Sequence, residues 1–412
     1  RFTRTDNFIW NIDILLLFIT PIQKREYMQV YLVGGAVRDT LLERPVTERD
    51  YVVVGATPAE MLAKGFTQVG KDFPVFLHPK TGEEYALARI ERKSGAGYTG
   101  FVCDASSSVT LEEDLKRRDL TVNAMALDDD GNIIDPYKGQ QDIENRCLRH
   151  VSAAFSEDPL RVFRVARFAT RYRYLGFTIA PETLTLMQSM ANSGELRALS
   201  AERVWQETKR SLLEATPDVF FTVLAESQAL TSWFSELGEH LTEALACLTL
   251  AASPLSVSSE EASHDKDTQL TLRFSALCSP LNPTQVSQLC SRLKVPNQVS
   301  DLARLLSQFK QHLLTDFSAT DSVNEVASAL LNIFNGADAW RRPERFSLLL
   351  TAMTPLAKRS HLDWPAQTTL IQRALSAAND VNVQDIIATG IKGPAIKQAL
   401  NDAKCSAIAQ AI

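Results

Sequence analysis

The segment LVGGAVRD, residues 32–39, decides the fold of the first part of this chain, because an apolar run leads into a glycine pair and then into a helical pattern. This order predicts a strand, a tight turn and a helix. Adjacent glycines let main-chain N–H groups approach a phosphate, and the start of a helix adds favourable partial charge. Gly35 and Arg38 are therefore candidate anion-binding residues, although an ordinary strand-to-helix turn needs the same glycines.

Two carboxylates follow in the segment ERDYVVV, residues 48–54. Alternate side chains of a strand share one face, so Glu48 and Asp50 are predicted to point the same way. Carboxylate oxygens are ligands that Mg²⁺ prefers, and such an ion also bridges to substrate phosphates. The alternative is a solvated strand edge, which the neighbouring glycine turn disfavours.

The hydrophobic periodicity divides the chain into two parts. Short apolar runs, glycine turns and helical stretches alternate from Val30 to Ile134, whereas helical spacing dominates after about Gln141. The predicted fold class is α+β, with a mixed sheet first and nearly all helix afterwards. The expected parts are an extension outside the fold (1–27), a head (28–140), an all-helical neck (141–215) and an all-helical body and tail (216–412).

The composition is that of a soluble globular protein, with 45% hydrophobic and 22% charged residues among 412. A formal net charge of −6 argues against a chain that coats nucleic acid over its whole surface, so an RNA contact needs a local basic stripe. The six cysteines show no zinc-ligand spacing, which favours reduced thiols in the cytoplasm. The apolar run from Ile14 to Ile19 is too short for a membrane span, which needs about 20 residues.

A further charged segment, DLKRRDLTVNA at residues 114–124, carries side chains suited to a nucleotide. The planar guanidinium of Arg118 matches a triphosphate or ribose oxygen, and Asp119 accepts a hydrogen bond from a ribose hydroxyl. The alternative is a salt-bridged helix face, which is the usual meaning of such a charge run.

The segment EDPLRVFRVARFATR, residues 157–171, predicts a helix with a basic stripe. Asp158 followed by Pro159 is typical of a helix start. Arginines then recur every three or four residues and share one face, although such a stripe is more often a solvated surface. Phenylalanines between the arginines, and the lack of a following acidic run, favour a binding surface. The arginines are Arg161, Arg164, Arg167 and Arg171.

In this order, the segments resemble the class II CCA-adding enzymes, which are tRNA nucleotidyltransferases with a DNA polymerase β-like head. The glycine pair with E-R-D resembles the wider superfamily, although position 48 is Glu where many members have Asp. R-R-D-x-T-x-N-A and E-D-x-x-R carry the closer resemblance, which is strongest to the gamma-proteobacterial type. Poly(A) polymerases share the head segments and are the nearest alternative. A catalytically silent RNA-binding protein is a third, which the intact Glu48, Asp50 and Arg118 disfavour.

The resemblance implies template-independent addition of CCA to the 3′ end of tRNA, with CTP and ATP as substrates and pyrophosphate as product. It implies that Glu48 and Asp50 hold two Mg²⁺ ions, with Glu84 as a candidate third carboxylate. It implies tRNA as the partner, and neither DNA nor a membrane. The residues expected to bind ATP or CTP are Gly35, Arg38, Arg118, Asp119, Asp158, Arg161, Arg164 and Arg167.

The chemistry of Asp158 and Arg161 suits two bases in particular. Cytosine and adenine offer an amino donor beside a ring-nitrogen acceptor, whereas uracil and guanine reverse that order. Asp158 can only accept hydrogen bonds and Arg161 can only donate them. The pair therefore matches C and A and leaves mismatched groups against U and G.

One departure from the resemblance lies in the second half of the chain. Many relatives carry an HD phosphohydrolase site after an apolar helix of the type LRFSALC, residues 272–278, where this chain continues with Ser279 and Pro280. His264 and Asp265 lie instead in a polar stretch, residues 253–269, which predicts an exposed loop. We therefore expect a degenerate HD region and exclude a metal phosphohydrolase.

This departure predicts that the chain hydrolyses neither phosphomonoesters nor 2′,3′-cyclic phosphodiesters, because the metal-ligating His-Asp pair is missing. Assays with Mg²⁺, Mn²⁺, Ni²⁺ and Co²⁺ should all be blank. Robust hydrolysis that survives the substitution Asp50→Ala would contradict the expectation, because it would place a second metal site in the helical half.

Overall fold

A computed structural model describes residues 28–69, 75–93, 101–253, 265–319 and 322–412. The predicted extension, residues 1–27, lies outside the described residues, as does His264 of the predicted polar loop. Among the described residues, no helix is both long and apolar enough to cross a membrane.

The first described part is built on a mixed sheet of seven strands in the order β3-β4-β5-β2-β1-β8-β9. β2 and β5 pair in parallel, and the other neighbours in this sheet are antiparallel. A separate antiparallel pair joins β6 to β7. The strands are β1 (Gln29–Val33), β2 (Asp50–Val54), β3 (Thr67–Val69), β4 (Val75–Leu77), β5 (Glu84–Leu87), β6 (Ile90–Lys93), β7 (Phe101–Asp104), β8 (Ala126–Leu127) and β9 (Ile133–Ile134).

Alternation along β2 gives the sheet two buried faces. Val52 packs in a cluster with Val33 and Leu115, whereas Val53 packs on the opposite side with Phe76 and Leu87. Helices cover the sheet and connect its strands. They are α1 (Gly35–Leu41), α2 (Pro58–Ala63), α3 (Leu111–Lys116) and α4 (Gly139–Glu144). Because both faces are covered, the chemically active side chains are left at the strand ends.

The rest of the described chain is mostly helical, so the predicted α+β class is confirmed. Its one sheet is a parallel pair of two-residue strands, β10 (Cys147–Leu148) and β11 (Thr178–Ile179), which are too short to show a strand period in sequence. The helices are α5 (Leu160–Tyr172), α6 (Pro181–Asn192), α7 (Ala201–Leu212), α8 (Asp218–Glu226), α9 (Leu230–Trp233), α10 (Leu241–Ala252), α11 (Lys266–Leu277), α12 (Pro283–Leu293), α13 (Asn297–Leu313), α14 (Val323–Gly336), α15 (Pro343–Arg359), α16 (Trp364–Asn379), α17 (Val383–Ala388) and α18 (Ala395–Ala411).

One hydrophobic core runs from the sheet into the helices. Met125, beside β8, belongs to the same buried cluster as Phe163 of α5 and Phe274 of α11. A second cluster forms between the later helices and includes Phe334 and Met353. The first core is continuous across the boundaries predicted near residues 140 and 215, so packing ties the head rigidly to the helices that follow.

The polar stretch predicted as a loop ends earlier than expected. α11 begins at Lys266, and the Asp265 carboxylate accepts a hydrogen bond from Thr268 N at 2.7 Å. Asp265 is therefore a helix cap, which explains why a polar residue precedes this helix. The loop prediction was wrong for residues 266–269, because their sparse apolar residues hid the first turn.

The start of α4 generates a stability prediction. A methyl group at Gly139 would overlap the Thr121 carbonyl oxygen and the Met125 side chain, both of which are buried. Gly139→Ala should therefore lower the free energy of unfolding by about 1–3 kcal/mol through overpacking. Gly238→Ala is the matched control, because a methyl group there meets open space. Thermal unfolding of both variants checks this, and equal melting temperatures would contradict the packing described.

Candidate active site

One cavity of about 630 Å³ lies between the strand ends of the sheet and helices α5 and α7. The side chains or main chain of every residue predicted to bind nucleotide or metal line it. Four separate segments of sequence therefore meet at one place. The predicted residues in its wall are Gly35, Arg38, Glu48, Asp50, Arg118, Asp119, Asp158, Arg161, Arg164 and Arg167.

The glycine turn fits against an arginine. Gly34 has a positive φ of 69°, and a Cβ atom there would lie 2.8 Å from the Arg118 Nη1 atom. Gly34 N donates to the Met125 carbonyl oxygen at 3.2 Å, and Gly35 begins α1. The turn thus requires Gly34 both for its backbone conformation and for the close approach of Arg118, whereas the predicted site residue was Gly35.

Three carboxylates share one end of the cavity. Asp50 begins β2 and lies directly opposite Glu84, the first residue of the parallel strand β5, while Glu48 precedes β2. All three line the cavity. Among the described residues, no three His, Cys, Asp or Glu side chains form a group that could hold a metal ion. A metal here would take its remaining ligands from substrate or water.

The electrostatics of this end fit a cation. Partial burial raises the pKa of the Asp50 carboxyl group, nearby Arg118 lowers it, and the negative charge of Glu48 raises it further, with a net increase. Asp50 is thus held in a place where its negative charge is poorly compensated. A divalent cation beside Asp50 would favour its ionised form.

Asp119 is the centre of a buried network. Its Oδ2 accepts from Arg164 Nε at 2.8 Å, and its Oδ1 accepts from Asn123 Nδ2 at 2.9 Å and from Leu120 N at 2.8 Å. Asn123 in turn accepts a short hydrogen bond from Arg38. Burial alone would raise the pKa of Asp119, but Arg164 and Asn123 outweigh it and hold the pKa well below its usual range.

The arginine stripe of α5 faces the cavity and is paired by residues from other elements. Arg167 is buried, pairs with Glu207 of α7 and lies 4.3 Å from the centre of the Phe168 ring. Arg164 pairs with Asp119 at 2.7 Å. The acidic partners were not visible beside the stripe because they lie in α7 and after α3.

Asp158 and Arg161 both have protein partners in this structure. Asp158 Oδ1 accepts from Leu160 N at 3.0 Å, but α5 begins at Leu160 with Pro159 in the N-cap position, one residue later than the Asp-Pro pattern predicts. Its Oδ2 pairs with Arg203 Nη2 of α7 at 2.8 Å. Arg161 donates to the main-chain carbonyl oxygens of Ala154 and Arg117, so the fold fixes its guanidinium.

The cavity also contains residues that the sequence did not single out as site residues. Its wall holds ten arginines against five carboxylates, so its charge suits a polyanion. The spacing of Arg203, Glu207 and Arg210 on α7 is helical and signals a shared face, but only the fold shows what that face meets. The additional residues are Arg89, Arg117, Asn123, Phe168, Arg203 and Arg210, and the cavity also includes Glu84, the candidate third carboxylate, and Arg171 of the predicted stripe.

Known proteins match most of this chain in sequence. Residues 30–149 match the family described as Poly A polymerase head domain, and residues 176–241 match a probable RNA and SrmB- binding site of polymerase A. A CCA-adding enzyme from Alteromonas mediterranea is 64% identical over 93% of this chain and 99% of the relative. This chain belongs to the CCA-adding enzymes. They are nucleotidyltransferases, a class that is generally metal-dependent.

Other members of the CCA-adding enzymes extend the match. A Multifunctional CCA protein from Pseudoalteromonas atlantica is 51% identical over 93% of this chain and 99% of its own length. The structure of the Bacillus stearothermophilus CCA-adding enzyme in complex with CTP is 26% identical and has a TM-score of 0.62. It covers 94% of this chain and 90% of that structure, which confirms the predicted type of head followed by helices.

The predicted degenerate HD region contains the partly buried ammonium group of Lys310. Ser279 and Pro280 follow α11, and Lys310 Nζ donates to the carbonyl oxygens of Ser279 and Leu281. A fixed positive charge beside this turn opposes a divalent cation. This contact supports the expectation that no phosphohydrolase acts here, which stays a prediction.

The Asp119 network predicts a pH-dependent loss of stability in Asp119→Asn. The folded-state pKa lies below the unfolded value of about 3.9, so the ionised carboxylate stabilises the fold above that pH and less below it. Asp119→Asn should cost about 1–3 kcal/mol at neutral pH, and the difference should shrink as pH falls below about 4. Exposed Asp129→Asn is the control, and melting temperatures across pH check both. A difference that grows toward low pH would contradict the network.

Proposed function

We propose that this chain adds CCA to the 3′ end of tRNA from CTP and ATP, without a template and with release of pyrophosphate. The observation that carries the proposal is the single cavity that joins the carboxylates of β2 to an arginine wall and to Asp158 and Arg161. Chemistry, triphosphate binding and base choice can therefore act on one bound nucleotide. Membership of the CCA-adding enzymes supports the same assignment.

The arginine wall is proposed to bind the triphosphate. Arg118 lies against the glycine turn, where its guanidinium can reach a phosphate placed beside Gly35. Arg38 and Arg164 are oriented through Asn123 and Asp119, so their positions are set before a nucleotide arrives. Because these guanidinium groups are already oriented, they lose little conformational entropy when they bind, and this favours binding of the triphosphate.

Glu48 and Asp50 are proposed to hold two Mg²⁺ ions, with Glu84 as a further candidate ligand. Bound there, the ions would supply Lewis acidity at the triphosphate and lower the pKa of the attacking 3′-hydroxyl. Asp50 is fixed by the ladder of β2 with β1 and β5, which places its carboxylate at the strand end. Rigid support of this kind keeps the carboxylate close to the reacting phosphate.

Asp158 and Arg161 are proposed to read the base. The fixed acceptor and donor match the edge of cytosine and adenine, and reject uracil and guanine because buried polar groups would face like groups. A poly(A) polymerase would share the head and differ in the tail that it builds. The relatives named for CCA addition favour the first function.

The partner of the proposed reaction is tRNA, which we place against the helical body and tail. We propose that the protein acts in the cytoplasm. Its described cysteines are free thiols, of which Cys247, Cys278 and Cys290 are buried, and this suits a reducing compartment.

Asp50→Ala should abolish nucleotide addition, because it removes a proposed metal ligand from a solvent-facing strand end and leaves the core intact. Incorporation of CTP into tRNA that lacks its CCA measures this, alongside melting temperature and tRNA affinity. Glu83→Ala is the matched control, because Glu83 is a partly exposed carboxylate that does not line the cavity. Wild-type turnover by Asp50→Ala would remove the metal assignment.

Asp158→Asn should weaken the choice of C and A over U and G by roughly ten- to a hundredfold. An asparagine oxygen can still cap Leu160 N, whereas its amide presents a donor where Asp158 presented an acceptor. Arg161→Ala is a less clean probe, because it leaves two main-chain carbonyls without their donor. kcat/KM for CTP, ATP, UTP and GTP checks this. Unchanged ratios with a normal melting temperature would contradict base reading by Asp158.

A further inference from the structure

Asp158, the proposed hydrogen-bond acceptor for the base, forms an ion pair with Arg203 of α7. Arg203 of α7 places Nη2 2.8 Å from Asp158 Oδ2, and the two side chains are 27% and 24% exposed. Arg203 and Asp158 both line the cavity described above. The contact therefore lies in the wall where a base would bind, partly shielded from solvent.

Arg203 restricts the rotation of the Asp158 carboxylate. Leu160 N fixes Oδ1 at 3.0 Å, but a single hydrogen bond leaves the carboxylate free to rotate about that contact. The pairing of Oδ2 with Arg203 limits this rotation and so sets the direction in which the carboxylate accepts further hydrogen bonds.

α7 is a rigid support for this arginine. Glu207, one helical turn after Arg203, pairs with Arg167 of α5, so successive turns of α7 form ion pairs with α5 and with Asp158 just before it. Ser200 caps α7, and Trp205 packs edge-to-face on Phe274. Arg203 is thus presented to Asp158 from a helix that cannot shift easily against α5.

Arg161 is fixed by an independent set of contacts. Its guanidinium donates to the carbonyl oxygens of Ala154 and Arg117, neither of which belongs to α7. The donor and the acceptor of the proposed base reader are therefore positioned by separate parts of the fold. Arg203 pairs with the acceptor, Asp158.

We propose that Arg203 is a specificity-determining positioning residue, which orients the Asp158 carboxylate toward the base amino group. The inference rests on the proposed base-reading role of Asp158. Arg203 acts through Asp158 and needs no contact with the nucleotide. Loss of Arg203 should lower discrimination between bases because a rotating carboxylate accommodates the reversed pattern of U and G.

The test measures kcat/KM for CTP, ATP, UTP and GTP on tRNA that lacks its CCA. Arg203→Ala should reduce the preference for CTP over UTP by roughly tenfold, a coupling of about 1.4 kcal/mol. Arg203→Lys, which keeps a positive charge beside Asp158, should regain part of that preference. The double variant Asp158→Asn/Arg203→Ala should be no less selective than Asp158→Asn alone.

Arg210→Ala is the matched control. Arg210 lies two turns further along the same helix and lines the same cavity, but no ion pair joins it to another residue in the described part of the chain. Its loss removes the same charge without touching Asp158, so the rates for all four nucleotides should change together. A selectivity loss in Arg210→Ala equal to that of Arg203→Ala would overturn the inference.

The outcomes separate this inference from the proposed function. If Asp158→Asn loses selectivity and Arg203→Ala does not, the role of Arg203 is wrong and base reading by Asp158 stands. If Asp158→Asn keeps full selectivity, both are wrong. Melting temperatures accompany each measurement. Should Arg203→Ala fail to fold, Arg203→Met replaces it, because methionine fills a similar space without a hydrogen-bond donor, and wild-type selectivity in that variant would equally overturn the inference.

Discussion

The cavity depends on one buried carboxylate, Asp119. It joins the end of the sheet-bearing part to α5 through Arg164, and it orients Asn123, which in turn holds Arg38. Without that negative charge, Arg164 would lose its ion-pair partner and Asn123 would lose the acceptor that orients it toward Arg38. One residue thereby sets how the arginine wall faces the carboxylates of β2.

Different structural elements contribute the side chains for the different proposed functions of the cavity. The carboxylates proposed for metal binding lie at or next to strand ends, and α5 carries an arginine stripe that includes Arg161. Asp158, the other half of the proposed base reader, lies just before α5. α7 contributes the ion pairs that hold α5 in place. Side chains on helices and strands are positioned more narrowly than side chains on loops, which suits an enzyme that selects a base without a template.

Much of this site could be predicted from sequence because its segments carry local signals. The glycine pair, the alternation of Glu48 and Asp50 and the arginine period of α5 each depend on neighbours along the chain. The residues selected by these signals all line one cavity in the structure, but the signals gave no information about the distances between them.

What the sequence could not show depends on contacts between distant segments. The register that sets Glu84 opposite Asp50 exists only once β2 and β5 pair. The partner of Asp158 lies on α7, and the role of Asp119 as a buried anchor follows from burial that its charged neighbours disguise. The two-residue strands β10 and β11 are too short for any periodic pattern.

We propose that one cavity both performs the chemistry and chooses the base. The most direct measurement incubates the protein and Mg²⁺ with tRNA transcripts that end before CCA, supplies each nucleoside triphosphate singly and in pairs, and sequences the 3′ ends. We expect CTP alone to add two cytidines and stop, and CTP with ATP to complete CCA. Long oligoadenylate tails from ATP alone, or uridine and guanosine added as readily as cytidine and adenosine, would contradict it.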